Sequence, residues 1–274
     1  MKRISFFLLL VFALLCASVS AQQDHYTAKT IFANYRSSIV QVIASQQLQN
    51  GVYTSMATGF IISGGLILTT NHVVSRPPEL LAYLPNIKIK LSDGRIVQAS
   101  PIASAPSEES KLHDYAILRT SENLKVAGLR IGRWQDVKEG DNLTTIGYAL
   151  NLTDPFLLSL TVAGSFPIDG INAITFQGPA NRGLSGAPLI SNQTGYVVGI
   201  VSSRLVGITP ALVEIRNQIV AGQQSSGIRL RLIGVDPNAA ILELTNVLDA
   251  DLMSGMGAAI VIDYASAVLP KTKR

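Results

Sequence analysis

A histidine, an aspartate and a serine, in that order along a 274-residue chain, carry the side-chain types that acyl transfer needs. Ser185 stands in NRGLSGAPL, a turn of small residues between Gly183 and Gly186 that leads at once into an apolar strand. Such a turn projects Oγ clear of the backbone and leaves neighbouring N–H groups able to hold an oxyanion. Alone it is weak, because Gly-x-Ser-Gly turns arise by chance. His72 in GFIISGGLILTTNHVV and Asp114 in HDYAILRT supply the missing parts, a base for the hydroxyl proton and a carboxylate to orient that base.

The choice of base is short, since the chain has three histidines. His25 lies near the N-terminus and reads as solvated. His113 directly precedes Asp114, and neighbouring side chains of a strand point to opposite faces, so it is badly placed to be the imidazole that Asp114 orients. His72 follows an apolar run and a Thr-Thr-Asn turn, at the mouth of a β element where a base stays exposed. Asp114 precedes the apolar run YAIL, where a strand enters the core, and a carboxylate there is costly unless paired. A histidine N–H removes that cost. Taken singly, each of the three is an ordinary strand-end or turn residue; together they form one constellation.

The elements that must position these residues are mostly strands. Residues 26–37 predict a short opening helix, with Ile31 and Tyr35 spaced to share a face. From Ser38 the texture becomes short β-type runs separated by Gly, Asn, Asp and Pro, among them SIVQVIA, ATGFIIS, GLILTT, DYAILRT, NLTTIGYA, LLSLTVAGSF, NAITF, APLI and YVVGIVSS. The SDGR turn inside IKIKLSDGRIVQA predicts a hairpin. About ten short strands without regular helices between them imply an antiparallel barrel or sandwich. After Arg204, Thr209-Pro210 predicts a helix running to Gly222, followed by the short alternating run GIRLRLIGV. Asp236-Pro237 opens a second helix with Ile241, Leu244 and Leu248 on one face, and GMGAAIVIDYASAVL reads as a closing strand and short helix. Neither an internal repeat nor a low-complexity linker marks a second domain.

Residues 1–21 read as an export signal: Lys2 and Arg3, the apolar run Phe6 to Ala17, and the small-residue cleavage site Val19-Ser20-Ala21. The apolar run is short for a bilayer span, and residues 22–274 are expected to form the mature domain, soluble and without stable membrane insertion. Cys16, the single cysteine, leaves with the signal, so the mature chain is expected to lack disulfides, as suits a bacterial periplasmic or extracellular protein. Leu15 before it is bulkier than a lipidation signal wants. Loss of Lys2 and Arg3 takes the formal charge from +4 to about +2, and no segment clusters Lys and Arg with aromatics, which argues against a nucleic-acid partner. No metal or organic cofactor is implied, for lack of a ligand-spaced His/Cys/carboxylate cluster or a Gly-rich nucleotide loop.

With these motifs in hand, the chain resembles the trypsin-like serine proteases, and within them the bacterial HtrA/Deg branch. TGFIIS and GGLILTTNHVV resemble that family's strand pair ending at the catalytic histidine, DYAILRT its aspartate motif, NRGLSGAPL its nucleophile loop, and YVVGIVSS the strand lining its substrate cleft. The resemblance covers roughly residues 27–205 and 255–270. It implies an all-β fold, a double antiparallel β-barrel of six-stranded halves with the site in the cleft between them. It also implies His72 as general base, Asp114 as its partner, Ser185 as nucleophile, and the N–H groups of Gly183 and Ser185 as the oxyanion hole.

Three positions depart from the family pattern: Ala187 replaces a second glycine, Leu184 a polar residue and Arg182 a proline. The chain also ends where HtrA proteins usually continue into a PDZ domain, so a PDZ-less protease is expected. Residues 206–254 replace a shorter loop with two predicted helices, a helical insertion before the closing strand that either caps or gates the cleft or is a peripheral decoration. Pro179 and Ala180 would line the primary pocket, with Arg182, Ser202 and Ser203 further along the cleft. An uncharged pocket implies small or medium aliphatic residues before the scissile bond. The expected activity is that of an exported serine endopeptidase acting on proteins or peptides through an acyl-enzyme. The alternative is a protease-fold protein that binds peptides without cutting them, or one held latent.

Overall fold

A computed structural model describes residues 26–48, 51–75, 84–105, 113–148, 152–168, 170–204, 210–225, 236–252 and 255–269. The expected export signal (1–21) and the GIRLRLIGV run lie outside these residues. Twelve strands close into two antiparallel barrels of six. The first is built from β1 (Ile39–Leu48), β2 (Gly51–Ile61), β3 (Leu66–Thr69), β4 (Asn86–Lys90), β5 (Ile96–Ser104) and β6 (Ala116–Thr120), in the order β1-β2-β3-β6-β5-β4. The second is built from β7 (Asn142–Gly147), β8 (Phe156–Ile168), β9 (Ile171–Gln177), β10 (Pro188–Ser191), β11 (Val197–Arg204) and β12 (Met256–Val261), ordered β10-β11-β12-β9-β8-β7. The expectation of barrel or sandwich thus resolves to a pair of closed barrels.

Burial explains why so many strands read as continuous apolar runs. In β6, Ala116 and Leu118 point into the first barrel while Ile117 points into a separate cluster shared by both barrels. In β12, Ala259 and Val261 fill the second barrel, and Ala258 and Ile260 join the same shared cluster. Side chains alternate across a strand, so a strand covered on both faces has no polar side to show. The shared cluster contains Phe60, Leu68 and Ile117 from one barrel and Ile146, Ile200 and Ile260 from the other. It is the core that docks the two halves.

The first helix, α1 (Ala28–Tyr35), closes one side of that core. Thr27 caps it, accepting from the Thr30 N–H at 3.2 Å, and Ile31 is fully buried in the shared cluster. A single helical turn, α2 (Asn71–Val74), follows β3 and carries His72, where the sequence suggested only a turn. The SDGR hairpin forms as expected, with Gly94 at φ +86° and the Leu91 N–H donating to the Arg95 carbonyl at 2.8 Å. The two later helices are α3 (Pro210–Ser225) and α4 (Pro237–Leu252), followed after β12 by α5 (Ile262–Ala267). Asp236 caps α4, its Oδ1 accepting from the Asn238 N–H at 2.9 Å, with Pro237 in the first turn. Among the described residues no helix is long and apolar enough to cross a membrane.

Candidate active site

His72, Asp114 and Ser185 come from three places along the seam between the barrels: the turn after β3, the approach to β6 and the loop between β9 and β10. Asn71 locks the histidine's turn, its Oδ1 accepting from Ser75 Oγ at 2.8 Å. Asp114 is 8 % exposed and accepts three hydrogen bonds. Its Oδ1 takes the backbone N–H of His72 at 2.9 Å, and its Oδ2 faces His72 Nδ1 at 2.5 Å and Ser202 Oγ at 2.9 Å. A carboxylate can only accept, so Nδ1 carries the ring proton and Nε2 is left as an acceptor. Burial pulls the imidazole's proton affinity down, but the hydrogen bond and charge of Asp114 together outweigh it, and His72 titrates above its ordinary value. His113 turns away, packing edge-on against the Tyr264 ring with centroids 5.0 Å apart.

The loop that carries Ser185 is anchored by a buried leucine and bent by glycine. Leu184, a departure from the family pattern, is 1 % exposed and belongs to the core of the second barrel. Burying a leucine contributes about 1.5–3 kcal/mol, which fastens the loop to that barrel. Gly183 lies at φ +93° and Gly186 at φ +82°, a region that favours glycine. A Cβ on Gly186 would also run into the Thr58 carbonyl and Thr69 Oγ1. Among the described residues, neither the Gly183 N–H nor the Ser185 N–H donates to any acceptor, and Ser185 Oγ has no hydrogen-bond partner.

A closed circuit of bonds nevertheless ties the three residues together. The Thr58 N–H donates to the Ser185 carbonyl at 3.0 Å, and the Thr58 carbonyl accepts from Thr69 Oγ1 at 2.8 Å, three residues before His72. On the other side, the Gly186 N–H donates to the Val201 carbonyl at 2.7 Å, next to the Ser202 that bonds Asp114. Ser202, expected along the substrate cleft, is 6 % exposed and its hydroxyl donates to the Asp114 carboxylate. Sequence reasoning missed Thr58 altogether. Pro179 and Ala180 are half-buried, Arg182 is exposed, and Ser203 pairs with Ala258 in the β11–β12 ladder, its side chain lying outside the described set. Ala180 packs on the second barrel's core, and a Cβ at Gly257 would meet both Ala180 and the Phe176 ring.

Two six-stranded antiparallel barrels with a histidine–aspartate pair and a serine loop at their seam define the trypsin-like class. The sequence pattern of the trypsin-like peptidase domain matches residues 57–200, more than half of the chain, and the chain belongs to that family. A probable periplasmic serine endoprotease, DegP-like, of Pseudomonas fluorescens is 33 % identical over 153 residues, covering 54 % of this chain and 29 % of that protein. Serine protease HTRA1 of Xenopus tropicalis is 29 % identical over 157 residues, covering 54 % of this chain and 31 % of its own. The chain therefore matches under a third of the length of these relatives. Among solved structures, the HtrA-type protease AlgW with a tripeptide superposes with a TM-score of 0.57 at 17 % identity, over 88 % of this chain and 62 % of that one. The active form of the Rv3671c protease from M. tuberculosis gives 0.56 at 16 % identity, over 86 % and 81 %. Both carry the same double-barrel fold.

Proposed function

We propose that this protein is an exported serine endopeptidase that cuts peptide bonds through an acyl-enzyme. Ser185 Oγ attacks the substrate carbonyl while its proton passes to His72 Nε2. Asp114 keeps the imidazole in the receptive tautomer and stabilises the imidazolium that forms. The carbonyl oxygen, now negative, takes the N–H groups of Gly183 and Ser185, each such donor lowering the barrier by about 2.7–4 kcal/mol. His72 then returns the proton to the departing amine, and water, activated in the same way, releases the acid. The observation that carries this reading is the 2.5 Å His72–Asp114 contact, tied by a continuous bond circuit to a loop that keeps two N–H groups unpaired among the described residues.

Residues 1–21 carry export, and the periplasmic designation of the DegP-like relatives agrees with that destination. The substrates are proteins or peptides. Pro179 and Ala180 bring no charge to the primary pocket, and Phe176 narrows the space beside Gly257, which favours small or medium aliphatic side chains before the scissile bond. A peptide-library profile dominated by Lys, Arg or Glu at that position would refute the preference.

One observation favours a second reading, a latent or non-cutting peptide binder: Ser185 Oγ has no hydrogen bond to His72 among the described residues. Catalytic hydrogen bonds are often long in unliganded enzymes and tighten with substrate, so endopeptidase stands first. Labelling of the mature protein with a fluorophosphonate probe separates the two, with Ser185→Ala as control. Labelling that disappears in the variant establishes an activated serine, and a folded protein that takes no label sinks the endopeptidase reading for the resting state.

A further inference from the structure

Thr58 belongs to β2 of the first barrel, yet three of its hydrogen bonds reach into the second. It is fully buried. Its Oγ1 donates to the Gly183 carbonyl at 2.7 Å and accepts from the Tyr148 N–H at 2.8 Å. Its N–H donates to the Ser185 carbonyl at 3.0 Å, and its own carbonyl accepts from Thr69 Oγ1 at 2.8 Å. A hydroxyl has one proton to give, and a carbonyl can only receive. The proton therefore goes to Gly183, and the Tyr148 N–H fixes the rotor from the other side. Every polar group of the residue is engaged in one arrangement.

These bonds fall on the peptide groups that bracket the proposed nucleophile. The peptide joining Gly183 to Leu184 is held at its oxygen by Thr58 Oγ1 and at its nitrogen by the Asn181 carbonyl, 3.1 Å away. The peptide joining Ser185 to Gly186 is held at its oxygen by the Thr58 N–H and at its nitrogen by the Val201 carbonyl. Between and beside these two fixed planes lie the N–H groups of Gly183 and Ser185, unpaired among the described residues. The second barrel makes room for the clamp with glycine: a Cβ on Gly147 would stand 2.7 Å from Thr58 Oγ1.

We propose that Thr58 is a positioning residue that sets the direction of the two oxyanion-binding N–H groups from the opposite barrel, an inference that rests on Ser185 being the nucleophile. It touches no substrate atom and acts through the Gly183 and Ser185 carbonyls. Its hydroxyl also makes the orientation of the loop depend on how the barrels are docked.

The test compares Thr58→Val, which keeps shape and branching but removes the hydroxyl, with Thr58→Ser, which keeps the hydroxyl. Each is measured for peptide hydrolysis, fluorophosphonate labelling and amide hydrogen exchange over residues 181–187. Thr58→Val is expected to lower kcat/KM by about tenfold to a hundredfold, the size of effect that sub-ångström misplacement produces, with the loss in kcat. Exchange across 181–187 should quicken, while the pH midpoint set by His72 and Asp114 stays where it was. Thr58→Ser should restore most of both. A folded Thr58→Val protein with wild-type labelling and wild-type exchange overturns the proposal, as does a loss that Thr58→Ser shares in full. If Thr58→Val does not fold, Gly147→Ala, whose methyl presses on the same hydroxyl from the second barrel, is read against the same outcomes. If the wild-type protein takes no label, the reading of Ser185 fails, and the exchange comparison alone decides whether Thr58 holds the loop.

Discussion

At His72 two effects compete for the imidazole proton. Burial is the larger single influence and lowers proton affinity, while the hydrogen bond and the charge of Asp114 both raise it and together prevail. In the proposed mechanism the base that takes the Ser185 proton must be neutral, so the acid limb of kcat/KM should have its midpoint above the ordinary imidazole value of about 6.5. Asp114→Asn removes the charge and leaves the burial. Its midpoint should fall below that of the wild type, with kcat lower by about 10⁴-fold, as serine triads behave when the carboxylate becomes an amide that holds the wrong tautomer. A pH–rate profile of the two proteins checks both signs; an unmoved midpoint would mean that Asp114 does not govern His72. The same raised affinity favours the folded state below the ordinary value, and that contribution is lost as pH rises through the raised one. The types and order of His72, Asp114 and Ser185 were legible in the sequence because each sits in a short motif whose neighbours reveal its setting. Thr58 was not, because its hydroxyl partners lie 125 and 90 residues away and nothing local says which way a strand threonine points.

The same division between local and distant causes runs through the elements. Strands covered on two faces announced themselves as apolar runs, and the helices beginning at Pro210 and Pro237 by proline in the first turn. The far ends of β1 and β2 did not. There Gln46 to Leu48 pair with Gly51 to Tyr53 as a ribbon beyond the barrel, with Val52 62 % exposed, and no core imposes a pattern. In β5, Pro101 hid the continuation to Ser104, which the strand achieves with an irregularity between Pro101 and Ala103. The ladder also shows how the helical segment is attached. Arg204 at the end of β11 is directly opposite Gly257 in β12, so residues 206–254 leave and re-enter the barrel at neighbouring points. Replacing residues 207–253 by a short turn should therefore leave both barrels folded. Ile215, Val220, Ile241 and Leu244 of α3 and α4 are all more than a third exposed, so the pair brings apolar surface that the barrels do not cover. If these helices gate the cleft, the shortened protein cleaves peptides at a changed rate; an unchanged rate for a folded protein makes them peripheral.

For the molecule as a whole, the proposed active site lies where two separately closed barrels meet, so its geometry depends on the core that docks them rather than on either barrel's interior. Adjacent residues of β6 separate these contributions. Ile117 faces the shared cluster and Leu118 the inside of the first barrel, both with no exposed surface and both within four residues of Asp114. Truncating either to alanine leaves a cavity and costs about 2–5 kcal/mol of stability. The consequences for the site should differ. A cavity inside the first barrel weakens that barrel but leaves its outer wall in register with the second. A cavity at the docking surface lets the walls shift, and the Thr58 bonds to Gly183 and Ser185, which cross that surface, lengthen with it. Ile117→Ala should therefore lower kcat/KM per folded molecule, while Leu118→Ala, assayed where it remains folded, keeps it near the wild-type value. Denaturant unfolding gives the two stability losses, and titration of active sites with the fluorophosphonate counts the competent molecules in each assay. Equal losses of kcat/KM in both variants would place control of the site in barrel stability alone and remove the docking core from the account.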